Sequence, residues 1–212
     1  MITNESNVER MKASLDAWTR QMDRGRRTDR LEMSTETGCP SGMVLVPAGY
    51  VISTGGGREF ADGFCIDRYE YPNVEGENPF VLVREGMHET AKALCARVGK
   101  RLCLSSEWKR ACSGTRLNRF PYGDDYVSGA CNVSTGGSAP SGSFENCTNE
   151  FGVYDMVGNL WEITGTTIEN KVTSGIPPRA QNSWNPKITV PGGTKKVVIG
   201  GSWLATPDDA DC

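Results

Sequence analysis

Val8, Met11, Leu15, Trp18 and Met22 recur at spacings of three and four, drawing one apolar stripe along a helix over residues 6 to 24. Asn4 or Ser6 stands at its start as a cap, and Gly25 at its end as a stop. An isolated helix of this length is marginal in water, so the stripe is expected to dock on protein. Beyond Cys39 the pattern changes to short β-like runs broken by Gly, Pro, Asn and Ser. Met43-Val44-Leu45-Val46, followed by Pro47-Ala48-Gly49, reads as a strand and a turn. Phe64 to Tyr71 alternates apolar and polar residues and ends at Pro72, the pattern of a half-buried strand.

Two short helices are expected next. Residues 89 to 98 carry Ala91, Leu94, Cys95 and Val98 on one face and stop at Gly99. Residues 105 to 112 carry Trp108, Ala111 and Cys112, are capped by Ser105 or Ser106, and halt at Gly114. Residues 113 to 150 read as a long loop with a Gly/Ser stretch from Ser134 to Gly142. Loops of that length inside a compact domain are tied by a disulfide or an ion, or carry function.

The chain has 212 residues and weighs 23.0 kDa, enough for one sizeable domain and a small appendage. Residues 1–38 hold seven Lys/Arg and seven Asp/Glu and no cysteine, so the expected division is an N-terminal helix and linker, then a domain over 39–212. A net charge of -3 offers no global attraction for nucleic acid or anionic lipid. Arg24, Arg26, Arg27 and Arg30 have no interleaved aromatics and read as a solvated linker. The longest apolar stretch, Met43 to Ala48, is far short of the roughly 20 residues of a membrane span. No basic start, apolar core and small-residue cleavage site mark a signal peptide. Eight cysteines nevertheless point to disulfides, and so to an extracellular, periplasmic or virion-surface setting. Cys131 and Cys147 bracket the Gly/Ser loop and are the first bridge expected, stabilising by about 3 kcal/mol in the chain-entropy view. Cys95 and Cys112, on apolar helix faces, read as plain buried thiols. His88, the single histidine, reads as a surface or helix-start residue.

Five segments in order carry a family resemblance. They are Gly42 to Gly49, Phe64 to Glu70, Gly99 to Cys103 running on to Glu107-Trp108 and Ala111-Cys112, Phe151 to Glu162 (Phe-Gly-Val-Tyr-Asp-Met-Val-Gly-Asn-Leu-Trp-Glu), and Gly200-Gly201-Ser202-Trp203. Together they resemble the formylglycine-generating enzyme, or sulfatase-modifying factor, family in a cysteine-rich subgroup. The resemblance implies an α+β, C-type-lectin-like fold that is loop-rich, with short antiparallel strands and two short helices. The N-terminal helix would be an addition to it. It also implies a further strand beyond Cys212, so the chain reads as lacking the family's final segment, with completion of the sheet by another chain as one expectation.

In catalytic members of that family, two cysteines just after Gly-Gly-Ser-aromatic bind copper(I), which prefers soft thiolates. Here Ser202-Trp203 runs on to Leu204-Ala205-Thr206-Pro207-Asp208-Asp209-Ala210-Asp211-Cys212, with a thiol only at the last position. Copper is therefore not expected, nor are catalytic residues. Two thiols brought together near Ser202 from remote stretches would reverse that reading. The resemblance also implies a structural calcium site formed by Asp155, Gly158, Leu160 and Glu162. Hard oxygens from two carboxylates and two carbonyls suit that ion. Asn132 and Val133 match the first half of a second family site whose acidic half has no counterpart here. Asp67, Glu70 and Arg101 read as buried ion-pair partners that hold loops. The functional expectation is a non-catalytic binding or structural module in a surface, envelope or virion assembly. It would meet a protein partner or a second copy through the N-terminal helix. The alternative is an oxidase that converts a substrate cysteine to formylglycine with copper and oxygen.

Overall fold

The computed structural model describes residues 38–53, 56–80, 87–168, 188–189 and 195–212; the stripe of residues 6 to 24 lies outside them. Strand β1 (Met43–Val46) pairs antiparallel with β4 (Phe64–Asp67), Val44 opposite Ile66. Val44 and Val46 turn inward and Leu45 outward, the two-residue period of a strand with one buried face. Between them, β2 (Gly49–Ile52) and β3 (Arg58–Ala61) form a hairpin, with Val51 and Ala61 buried and Tyr50 against Phe60 on the outer face. A three-stranded sheet in the order β5-β7-β6 is built from Glu162–Ile168, Lys195–Ile199 and Ile188–Thr189, with a register irregularity between Ile163 and Thr167.

Helix α1 covers Met87–Arg97 and α2 covers Ser105–Ser113. The first begins two residues earlier than the sequence pattern suggests, which places His88 inside the helix and buries it at 4 % exposure. The second is preceded by Leu104 rather than capped by a serine, because Glu107 reaches back to accept the Leu104 N–H at 2.7 Å. The β4 strand stops at Asp67, four residues before the expected end. Its carboxylate there binds Lys100 at 2.5 Å and Asn73 at 3.0 Å, and the chain turns instead of extending.

One core holds the domain together. Trp108, Ala111 and Cys112 of α2 pack with Phe120, Val153, Met156, Val157 and Ile199. Buried Arg110 secures α2 to the β1–β2 turn by donating to Pro47 O at 3.1 Å, and it closes the helix's own C-terminal end by donating to Gly114 O at 2.7 Å. The guanidinium lies where a Cβ on Gly49 would stand, so the glycine makes room for it.

The stretch from residue 114 to 161 is almost devoid of regular structure, and its backbone groups are satisfied by turn and loop backbone bonds supplemented by asparagine side chains. Asn149 donates to Ala111 O at 2.6 Å and accepts from Phe151 N at 2.9 Å. Disulfides supply the remaining ties: Cys39–Cys65, Cys112–Cys212 and Cys131–Cys147. Cys112 is thus half of a bridge rather than the plain thiol its helix position suggests, since folding carries the last residue onto that face. Cys95 and Cys103 are free.

Candidate functional site

The turn from Asp155 to Glu162 is wound tightly, with positive φ at Asp155 (55°), Gly158 (79°) and Asn159 (52°). A Cβ on Gly158 would stand 2.5 Å from Asn132 O, so the close approach of two loops requires glycine there. Asn132 O accepts the Asn159 N–H at 2.9 Å, and Gly200 O accepts that of Gly158 at 2.8 Å. Buried Asn159 then forms the hub. Its Oδ1 accepts from Asn132 at 2.8 Å and from Ala139 N at 2.8 Å, while its Nδ2 donates to Glu70 at 2.5 Å and to Ala139 O at 3.1 Å. Glu70 also accepts the Leu160 N–H at 3.1 Å. Sequence reading marks Glu70 as an ion-pair partner; the structure makes it a hydrogen-bond acceptor for the turn.

Three carboxylates surround this turn, and no cation among the described residues offsets them. Burial, followed by repulsion from Glu162 and Asp155, pushes Glu70 up to about 9. Burial also lifts Asp155 to about 6, against a bond from Gly142 N. Burial and then the charge of Asp155 raise Glu162 to about 7.

The four calcium candidates lie on this one turn. The Glu162 carboxylate accepts no hydrogen bond among the described residues, nor do the carbonyls of Gly158 and Leu160. Two carboxylates that repel one another beside two unbonded carbonyls fit a hard dication. No three His, Cys, Asp or Glu side chains form a metal-ligand group among the described residues, so any ion here depends on those carbonyls. Asn132 is engaged by the loops around it. Its Oδ1 accepts from Thr135, its Nδ2 serves Gly137 and Asn159, and its carbonyl serves Asn159 N.

Beside the turn is a cavity of about 1320 Å³, whose wall includes Glu70, Leu160, Glu162, Cys95, Cys103, Ser202 and Trp203. Burial pushes the Cys103 thiol up to about 12 and raises that of Cys95 as well, so both are held protonated. Trp108, 3 % exposed, is one of the wall's residues, and its buried Nε1 has no hydrogen-bond partner among the described residues. The segment after Ser202 forms part of the same wall and is fastened at its end by Cys112–Cys212 and by Arg119 to Asp208 at 3.1 Å. Ala205 and Ala210 stand 3.1 and 3.0 Å from where a Cβ on Gly201 would lie.

Residues 73–212 match the sulfatase-modifying factor enzyme 1-like domain, a span that includes this turn, both helices and the segment after Ser202. The chain belongs to the sulfatase-modifying factor family. It is 30% identical over 133 residues to a formylglycine-generating enzyme of Mus musculus, covering 54% of this chain and 33% of that one. It is 27% identical over 151 residues to a hercynine oxygenase of Mycolicibacterium thermoresistibile, covering 66% and 33%. A relative from Bos taurus named inactive C-alpha-formylglycine-generating enzyme 2 is 32% identical over 90 residues, covering 36% and 30%. The chain thus spans about a third of the length of these relatives. Family membership and a small antiparallel α+β architecture are established. Three disulfides are compatible with an extracellular or periplasmic setting, and no helix among the described residues is long and apolar enough to cross a membrane.

The sequence anticipates the Cys131–Cys147 bridge, and the four residues that the family resemblance implies for calcium lie on one turn. It misses the Asn132–Asn159–Glu70 chain, for which the signal is slight: polar residues inside otherwise apolar family segments.

Proposed function

We propose that this sulfatase-modifying factor homologue is a non-catalytic binding or structural module on the C-type-lectin-like variant of the fold. It works in a surface or envelope assembly, with residues 1–38 appended to a domain of 39–212. The fate of Cys212 carries this reading. Copper(I) of the family's oxidase chemistry calls for paired soft thiolates, whereas the single sulfur after Ser202 is consumed by Cys112. Alanine methyls, not thiols, face Gly201 from that segment. The bovine relative named as inactive supports the same direction.

The proposal includes a structural calcium ion held by the Asp155 and Glu162 carboxylates and the Gly158 and Leu160 carbonyls. Such an ion would offset the repulsion between the carboxylates and pin the turn that Asn159 organises. It brings no redox chemistry.

One observation favours the oxidase reading: Cys95 and Cys103 are free and line the same cavity as Ser202. A cuprous ion there would have to displace both thiol protons. Titration of the purified protein with Cu(I), together with incubation of a cysteine-containing sulfatase-type peptide under oxygen, decides between the readings. No stoichiometric copper binding and no conversion are expected. Binding with conversion would establish the oxidase instead.

A further inference from the structure

Six of the eight cysteines are bridged, and the two that remain, Cys95 and Cys103, both line the cavity. They stand on the two limbs of one chain reversal. Cys95 lies in the last turn of α1, and its carbonyl accepts the Lys100 N–H at 2.9 Å across Gly99, whose φ is 71°. Three residues beyond Lys100, the Cys103 carbonyl accepts the Gly165 N–H of β5 at 2.7 Å. Burial is the main cause of the raised pKa of both thiols, and the charges of Asp67 and Glu162 act on each as well, so the same two carboxylates stand near both sulfurs.

The two limbs are held differently. Residues 101–105 are fixed by the Arg101–Glu107 pair, the Gly165–Cys103 bond and a bond from Ser105 N to Thr166 Oγ1 at 2.8 Å. Helix α1 instead lays Met87, Ala91, Leu94 and Cys95 over the cavity. Beneath its last turn is cavity rather than packed core, so an inward movement there takes apolar surface out of water. That movement brings the Cys95 limb toward the Cys103 limb, and a bridge requires their Cα atoms within about 7 Å.

We propose that Cys95 and Cys103 are a redox-active dithiol, which closes to a fourth bridge and latches the end of α1 to the 101–105 stretch. The oxidant is a low-molecular-weight disulfide. The Cys95 thiolate attacks one of its sulfurs and releases the first small thiol. The Cys103 thiolate then attacks the Cys95 sulfur of the mixed disulfide and releases the second. The two protons of the cysteines pass to the leaving thiolates, and their two electrons reduce the small disulfide. Thiols of raised pKa are poor leaving groups, so the bridge resists displacement once formed. An oxidising setting, with which the three existing bridges are compatible, favours closure. The inference does not rest on the reading of the domain as a binding module, nor on calcium.

The test uses the full chain, with oxidised glutathione as the probe. Tryptic digestion without reductant should then yield residues 93–97 joined to residues 102–109 through Cys95 and Cys103, with the three existing bridges unchanged. Amides in the last turn of α1 should exchange with solvent about tenfold more slowly in the bridged form. In Cys103→Ser, glutathione should remain on Cys95 as a lasting mixed disulfide, because no second thiol displaces it. Glutathione retained on both cysteines of the wild type, no reaction at either, or unchanged amide exchange in the bridged chain would each overturn the proposal. Should Cys103→Ser fail to fold, the joined peptides of the wild type decide alone.

Discussion

Arg101 and Glu107 meet as a two-pronged pair, Nη1 donating to Oε2 at 2.7 Å and Nη2 to Oε1 at 2.6 Å. The same carboxylate accepts the Leu104 N–H, so one side chain ties the 101–104 stretch to the first turn of α2. Burial acts to raise the Glu107 pKa, but the Arg101 and Leu104 bonds outweigh it and leave the group below its ordinary value. Arg101 is 65% exposed, so solvent screens much of the Coulomb attraction and the cap is the steadier contribution.

Glu107→Ala should therefore destabilise the domain by about 1–2 kcal/mol, combining a lost helix cap with a half-exposed ion pair. Because the folded pKa is depressed, the benefit of the charge is present above the ordinary 4.5 and is lost as pH falls through the folded value. Urea unfolding of wild type and Glu107→Gln should show a stability gap at pH 7 that narrows below that point. A gap independent of pH would refute the assignment.

Gly158→Ala combines a positive φ with a 2.5 Å approach to Asn132 O and should cost about 3 kcal/mol or more. Gly137, with nothing within 4 Å of its would-be Cβ, should accept alanine with little change. Thermal melts of the two variants make the comparison, and similar melting points would show that the loops are not held as described.

Calcium added to chelator-treated protein should raise the melting point, by an amount equivalent to about 2.7 kcal/mol at a hundredfold excess over Kd. Asp155→Asn and Glu162→Gln should each abolish most of that shift. A shift that survives in both variants would move the ion elsewhere.

The Cys103 thiol, held near 12 instead of 9, should carry about a thousandfold less thiolate at pH 8 than an unperturbed cysteine. Its alkylation should climb steadily with pH well beyond the point where a free cysteine levels off. A plateau near pH 9 would contradict the burial that raises it.

Much of this domain is legible before folding is considered. The strand at Met43–Val46 follows from its apolar run and the turn after it. Both helices follow from their three-and-four spacing, within two residues at each end. The loop after α2 is announced by its Gly and Ser content. Boundaries slip where a side chain makes a contact that periodicity does not encode. β4 ends at Asp67, opposite the first residue of β1, where its carboxylate meets Lys100 and Asn73, and Glu107 rather than a serine caps α2.

The sequence by itself determined the family, through five motifs in order, and the short elements, because these depend on neighbours a few positions apart. Tertiary structure alone decided that Cys112 meets Cys212 over a separation of 100 residues. It likewise decided that Asn159 joins Asn132 to Glu70, and that Cys95 and Cys103 share a wall with Ser202. Such contacts form only when distant segments are packed against a common core, and no local pattern records which polar or sulfur atoms will meet there.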